Sequence, residues 1–145
     1  MSDNLVLEPI SGKHFEEWKT ILAPLPLSQG TFNFFLDMME NQSNSDSSYV
    51  YIVKTAEGEL LGNVSVMNIR RGETQSGLVE CKILEPHRQK GFGARALKAI
   101  EDIAFTQLQL NKLEVYASEK NTAGQKLLKK LGYQQDSEVF VKIKS

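Results

Sequence analysis

Arg88-Gln89-Lys90-Gly91-Phe92-Gly93-Ala94 decides the fold, because it lies between a strand pattern, Ser76 to Leu84, and an amphipathic helix pattern, Phe92 to about Leu110. Gly91 and Gly93 carry no Cβ, so backbone amides there can approach a bulky anion and take dihedrals that other residues avoid. The helix that follows presents its unsatisfied N–H groups and the positive end of its dipole at the same point. Such a strand–loop–helix junction binds a pyrophosphate through backbone amides. Arg88, at the start of the loop, can tie it down or add charge.

Two other phosphate loops fail on these residues. A Walker loop requires Gly-Lys followed by Ser or Thr, whereas Gly93 is followed by Ala94-Arg95. A dinucleotide fingerprint could use Ala96 as its third small residue and Glu114 as its acid. It would also have to open the fold, and too little chain follows the loop for a doubly wound domain.

Working outward, Asn4 to Ile10 alternates as a first strand. Ser11 is placed to cap a short helix with Phe15, Trp18 and Leu22 on one face, stopped by Pro24 and Pro26. Ser28 is placed to cap a second helix with Phe32, Phe35, Leu36 and Met39 inward. After a polar loop, Asn41 to Ser48, the segments Tyr49–Thr55 and Leu60–Arg70 read as a hairpin, and Gly77–Leu84 as a third strand of the meander. Beyond the loop helix come a β-rich run, Lys112–Ser118, a helix from about Asn121 to Leu131, and extended structure from Tyr133 to Ile143. The fold class is therefore mixed α/β: an antiparallel meander leading into a β-α-β unit. Strands 77–84 and 112–118 should lie parallel through a right-handed crossover, with the ligand crevice at their carboxyl ends.

Bulk properties narrow the function. With 145 residues, 41% hydrophobic and 24% charged, the chain is expected to form one domain over 1–145 with a single core. Met1 to Glu8 has no basic flank or apolar run of a signal segment, and no apolar stretch approaches the ~20 residues of a membrane span, so a cytoplasmic address is expected. One cysteine, Cys81, leaves no disulfide framework and no Cys-rich zinc site. Residues 1–75 hold 10 acids against 5 bases, and residues 76–145 hold 8 acids against 12 bases. Scattered solvated charge explains that asymmetry, and so does a polyphosphate ligand on the second half with a cationic one against the first. No basic stripe interleaved with aromatics points to nucleic acid.

The stretch Ile83-Leu84-Glu85-Pro86-His87-Arg88-Gln89-Lys90-Gly91-Phe92-Gly93 resembles the strand end and acyl-CoA loop of the GNAT superfamily of acetyl-CoA-dependent N-acetyltransferases. Asn121 to Tyr133, an Asn opening a helix that ends Leu131-Gly132-Tyr133, is similar to the second signature of that family. The resemblance covers about Gly77 to Tyr133 and is looser before it. It implies a GNAT-like sheet with splayed parallel strands and an acyltransferase moving acetyl from acetyl-CoA to a primary amine by direct attack in a ternary complex. A protein or peptide N-terminus, or a small amine, would serve as acceptor. It further implies that backbone groups of Ile83 and Leu84 pair with the pantetheine arm, and that the loop of Arg88, Gln89, Lys90, Gly91, Phe92, Gly93 and Ala94 holds the pyrophosphate. Asn121 would bond the cofactor arm while also serving as a helix cap. The partners implied are acetyl-CoA and the amine, without nucleic acid, membrane or metal, and a homodimer is left open. Family members often carry a Tyr seven residues after the Asn, where it protonates the departing thiolate. Here that position is Leu128, as apolar as in the branch resembling ribosomal-protein N-terminal acetyltransferases. A non-catalytic acyl-CoA-binding regulatory module is the alternative that this departure favours.

A neutral amine must attack the thioester, so a base is wanted. Glu80, on the strand leading to the acyl site, is the catalytic candidate, weighed against a plain surface carboxylate paired with Lys82. Glu85 is held in reserve. Cys81 reads as a small buried residue rather than a nucleophile, and His87 as a surface residue beside the loop. His14 lacks partners at metal-ligand spacing.

Overall fold

A computed structural model describes residues 5–41 and 47–144. The sheet comprises β1 (Leu5–Pro9), β2 (Tyr49–Thr55), β3 (Leu60–Arg71), β4 (Gln75–Ile83), β5 (Lys112–Tyr116), β6 (Gln134–Asp136) and β7 (Val139–Ile143). Four α-helices accompany it: α1 (Phe15–Leu22), α2 (Gln29–Glu40), α3 (Phe92–Asp102) and α4 (Thr122–Lys130). Strand order is β1-β2-β3-β4-β5-β7-β6, antiparallel throughout except for β4 with β5. The mixed α/β architecture expected from the sequence is the one observed. The polar loop expected over Asn41–Ser48 falls largely outside the described residues.

Several boundaries differ from the sequence reading. The helix after the loop is α-helical only to Asp102 and widens into a π turn over Ile103–Gln107, where the Thr106 hydroxyl bonds back to the Asp102 carbonyl. Before α1 the chain makes a 3-10 turn, Gly12–His14, fixed by His14 Nδ1 accepting from the Ser11 N–H at 3.0 Å. With Nδ1 an acceptor, Nε2 is the donor to Glu8 Oε1 at 2.9 Å. His14 is thus a fully buried strut, with Lys54 reaching both Glu8 and Glu17 at 3.1 Å. The tail is a complete β6–β7 hairpin, and β7 pairs with β5.

Register fixes which side chains share a face. Val64, Val79, Leu113, Val115 and Phe140 all lie on the α3 and α4 side and are buried there with Ala96, Leu97, Ile100 and Leu128. The alternate residues of β2, β3 and β4 face α1 and α2, where Ile21, Phe32, Val50 and Ile52 are buried. Two ring pairs join these two helices, Phe15 with Phe32 and Trp18 with Phe35, each at 5.5 Å between centroids. Ser28 accepts from the Thr31 N–H at 3.1 Å as the expected cap of α2. Phe34 is 65% exposed.

The Leu131-Gly132-Tyr133 signature has a structural meaning. Gly132 N–H bonds to the Lys129 carbonyl at 3.1 Å and Tyr133 N–H to the Leu128 carbonyl at 2.9 Å, which is a Schellman close of α4. The Tyr133 ring is then buried, and its hydroxyl donates to Glu101 Oε2 at 2.9 Å, while Lys142 Nζ meets Glu101 Oε1 at 2.9 Å. One buried carboxylate therefore ties α3 to the end of α4 and to β7. Tyr133→Phe should leave that carboxylate short of one donor and lower stability by about 1–3 kcal/mol. Urea denaturation checks this, and a variant as stable as the parent would show that the hydroxyl contributes nothing net.

Candidate active site

The β4–β5 ladder runs from Ser76↔Lys112 only to Val79↔Val115, although β4 continues to Ile83. The two strands part there, and a cleft of about 610 Å³ opens between them. Its shape follows from hydrogen-bond alternation. Leu84 N–H donates to the Leu61 carbonyl at 2.8 Å, so the neighbouring Gly62↔Ile83 pair directs its backbone groups away from its partner strand. By the same alternation, the backbone groups of Ile83 and Cys81 face the gap that β5 has left. Leu84 does not: its N–H is taken by Leu61 and its carbonyl by the His87 N–H at 2.9 Å. The edge available to an extended ligand is therefore Cys81 and the Ile83 N–H, the Ile83 carbonyl being taken by Arg88 Nε, one step earlier on the strand than the Ile83–Leu84 expectation.

The anion side of the cleft is built by the loop and α3. Gly91 is the N-cap of α3 at φ +84°, in the left-handed region, and Gln89 is also left-handed at φ +63°. The N–H groups of Phe92, Gly93 and Ala94 form the first turn and have no backbone acceptor among the described residues. Arg88 Nε donates to the Ile83 carbonyl at 2.7 Å and anchors the loop to the strand end. Arg95 folds back on the Lys90 carbonyl at 3.2 Å and lies 4.9 Å from the Phe92 ring centroid. Gln89 and Lys90 are exposed and Ala94 is half-buried. His87 Nε2 lies 3.7 Å from Glu59, and its ring stands edge-on to Phe92 at 6.4 Å between centroids.

Helix α4 supplies the opposite wall. Asn121 caps it, its Oδ1 accepting from the Gly124 N–H at 2.9 Å, and Asn121, Gly124, Leu127 and Leu128 line the cleft along one helical stripe. Leu128 is 3% exposed and packs in the core, at the floor of the cleft.

On the opposite face of the sheet the cleft is lined by Trp18, Asn63, Leu78, Glu80, Lys82 and Tyr116. Glu80 is exposed and makes no ion pair with another described residue. Lys82 is not its partner, because Nζ donates to the Ile21 carbonyl at 2.6 Å and holds the end of α1 against β4. Glu85 lies outside the cleft, in the turn after β4. Cys81 lines the cleft, and burial pushes its thiol up to about 12, far from an activated thiolate. Sequence reasoning missed Tyr116 and Asn63. Counting alternate positions from Val115 and Val64 would have placed both on the sheet face of Glu80. Among the described residues no cluster of His, Cys, Asp or Glu is arranged to hold a metal, and no helix is long and apolar enough to cross a membrane.

The family model described as "Acetyltransferase (GNAT) domain" matches residues 4–134. The Probable N-acetyltransferase YjcK of Bacillus subtilis (strain 168) is 24% identical over 135 residues, which is 92% of this chain and 75% of that protein. Among solved structures, mutant forms of the spermidine/spermine N-acetyltransferase SpeG from Vibrio cholerae superpose with a TM-score of 0.84 at 15% identity, covering 97% of this chain and 95% of theirs. The Vibrio cholerae spermidine N-acetyltransferase in complex with CoA and spermine superposes with a TM-score of 0.80 at 16% identity, covering 97% and 93%. A match over nearly the whole chain, on a sheet whose parallel strands part above an amide-lined loop, makes this chain an acetyltransferase of the GNAT family.

Proposed function

We propose that the chain transfers an acetyl group from acetyl-CoA to a primary amine in a ternary complex, as a single cytoplasmic domain. The observation that carries this reading is the parting of β4 and β5 beyond Val79↔Val115, which gives one cleft two faces. Acetyl-CoA fits the α3–α4 face. The cleft edge of Cys81 and Ile83 would pair with an extended amide-bearing arm, and the amides of Phe92, Gly93 and Ala94 would meet a pyrophosphate. Asn121 has its Nδ2 donors left for the arm after capping α4 with its oxygen. When bound, acetyl-CoA supplies the activated acyl group as a thioester.

The chain's own residues do the remainder from the other face. An alkylamine of pKa ~10.4 is neutral about once in 10³ molecules at pH 7, whereas an α-amine near ~8 is neutral roughly a tenth of the time. Glu80, exposed at the mouth and unpaired, is placed to take the ammonium proton directly or through water. Buried Leu128 offers no proton to the leaving thiolate, and this favours a second reading, an acyl-CoA-binding module without catalysis.

Release of free thiol from acetyl-CoA separates the two readings. The amine panel is spermidine, because structural neighbours are spermidine N-acetyltransferases, with N-terminal peptides and an aminoglycoside. Amine-dependent thiol release is expected, whereas tight acetyl-CoA binding with none would establish the binding module.

Three substitutions check the parts. Gly93→Asp places a carboxylate in the first turn of α3, where it suits the helix dipole, and its Cβ meets only Ile83 and Leu127 at 4.0 Å. The fold should survive while acetyl-CoA affinity falls by roughly an order of magnitude or more; unchanged calorimetric binding would remove the loop from the site. Cys81→Ala should keep most activity, and mass spectrometry should find no acetyl group on Cys81 of the parent after incubation with acetyl-CoA. Glu80→Gln keeps the size of the side chain and loses the proton acceptor, so kcat should fall across the pH–rate profile, with acetyl-CoA affinity intact. A profile identical to the parent's would transfer the role to solvent.

A further inference from the structure

Among the described residues Tyr116 is the only tyrosine lining the cleft, and it is 61% exposed. A ring that open at the end of a strand has ordinary rotational freedom, yet this one is pinned. Its hydroxyl donates to Glu138 Oε1 at 2.7 Å, and Glu138 Oε2 accepts from the Glu119 N–H at 2.7 Å. The Ala117 N–H, in turn, bonds to the Glu138 carbonyl at 2.9 Å, so the β6–β7 turn and the end of β5 are locked together behind the ring. The hydroxyl and the Glu119 amide hold the Glu138 carboxyl below its usual range, and Glu138 holds the phenol above its own. The pair thus remains a neutral phenol on an ionised carboxylate.

Register places this pair opposite Glu80. The last residues paired across the split are Val79 and Val115, so Glu80 and Tyr116 are the next positions on the two lips, on the same face of the sheet, and both line the cleft. The phenol's only proton is already donated to Glu138. What Tyr116 offers a ligand is therefore its ring face and an oxygen lone pair, between two carboxylates. An ammonium group is attracted by both features.

We infer that Tyr116, held in place by Glu138, is the wall against which the acceptor amine is positioned opposite Glu80, and that it governs acceptor recognition and not proton delivery. The inference rests on the acetyl-transfer reading above and goes beyond it, by assigning the acceptor side of the cleft to two residues of β5 and the last hairpin. Tyr116 touches the acceptor, while Glu138 acts through Tyr116.

Steady-state kinetics at saturating acetyl-CoA, with whichever amine of the panel has the highest kcat/KM, tests it. Tyr116→Ala should raise the acceptor KM roughly tenfold, with kcat near the parent's and acetyl-CoA affinity unchanged. Glu138→Ala frees the ring and should raise the acceptor KM in the same direction by a smaller factor. Tyr116→Phe keeps the ring face but loses the same bond to Glu138, so its acceptor KM should move with that of Glu138→Ala while kcat stays near the parent's. An unchanged acceptor KM in Tyr116→Ala overturns the assignment. So does a kcat loss in Tyr116→Phe, which would mark the phenol as a proton donor. If the parent acetylates no amine of the panel, the acetyl-transfer reading fails separately. The inference is then read from the fluorescence of Trp18, the single tryptophan and a residue of the same cleft, titrated with spermidine in the presence of CoA. Weaker binding by Tyr116→Ala supports the wall, and equal binding overturns it.

Discussion

Everything in this molecule depends on one interrupted ladder. In a folded sheet nearly every backbone N–H and C=O must find a partner, and β4 has partners on both edges only as far as Val79. Past that residue β3 still holds one edge while β5 has turned away. On its far side β5 is held by β7 along its whole length, from Lys112↔Ile143 to Tyr116↔Val139. The gap is bridged from one face by α3 and α4, which meet where Gly93 lies against Leu127, and by the Tyr133–Glu101–Lys142 cluster further along. The sheet thus remains a single unit while exposing the backbone of Cys81 and the Ile83 N–H, and an extended amide chain is the ligand such an edge accepts best.

The split also separates two electrostatic tasks. On one face stand a helix N-terminus, unbonded amides and the base-rich half of the chain. On the other stand Glu80, Glu138 and the acid-rich first half, with α1 clamped over β4 by Lys82 on the Ile21 carbonyl. An anion and a cation entering from opposite faces would each meet a field of the right sign and come together only at the gap. The asymmetry of charge along the sequence becomes an asymmetry between the faces because α1 and α2 belong to the first half of the chain and α3 and α4 to the second.

What could be read from the sequence was local in character. The loop from Arg88 to Ala94, the Asn121 cap and the meander are written in consecutive residues, since glycine placement, capping and alternation act over a few positions. What stayed hidden depends on pairing between distant segments. Leu84 falls within the same strand pattern as Ile83, and only the bond to Leu61 shows that its amide faces β3. His14 reads only as a histidine without partners at metal-ligand spacing until β1 brings Glu8 to it and β2 brings Lys54 to Glu8. Tyr116 is unremarked as a β-favouring residue in a strand, and its meaning comes from Glu138, which reaches it through the final hairpin. The Leu-Gly-Tyr ending of α4 was legible as a pattern, but not the buried carboxylate that gives its tyrosine a structural task.

The departure at Leu128 now has a physical account on both sides. Structurally, a leucine there fills the floor between α4 and the core, and its carbonyl receives the Schellman bond from Tyr133, so the position stabilises the helix end that shapes the cleft. Chemically, a positioned acid is worth about 10²–10⁴ in rate, and a leucine cannot supply one. The shortfall is smallest when the leaving group needs least help, and a thiol of pKa ~8.5 is a tolerable leaving group even as its thiolate. The greater barrier then lies with the amine, which must lose a proton before it attacks. A chain built this way would place its catalytic effort on the acceptor side of the split, where Glu80 and the pinned ring of Tyr116 stand, and would favour acceptors whose amines are already partly neutral at the working pH.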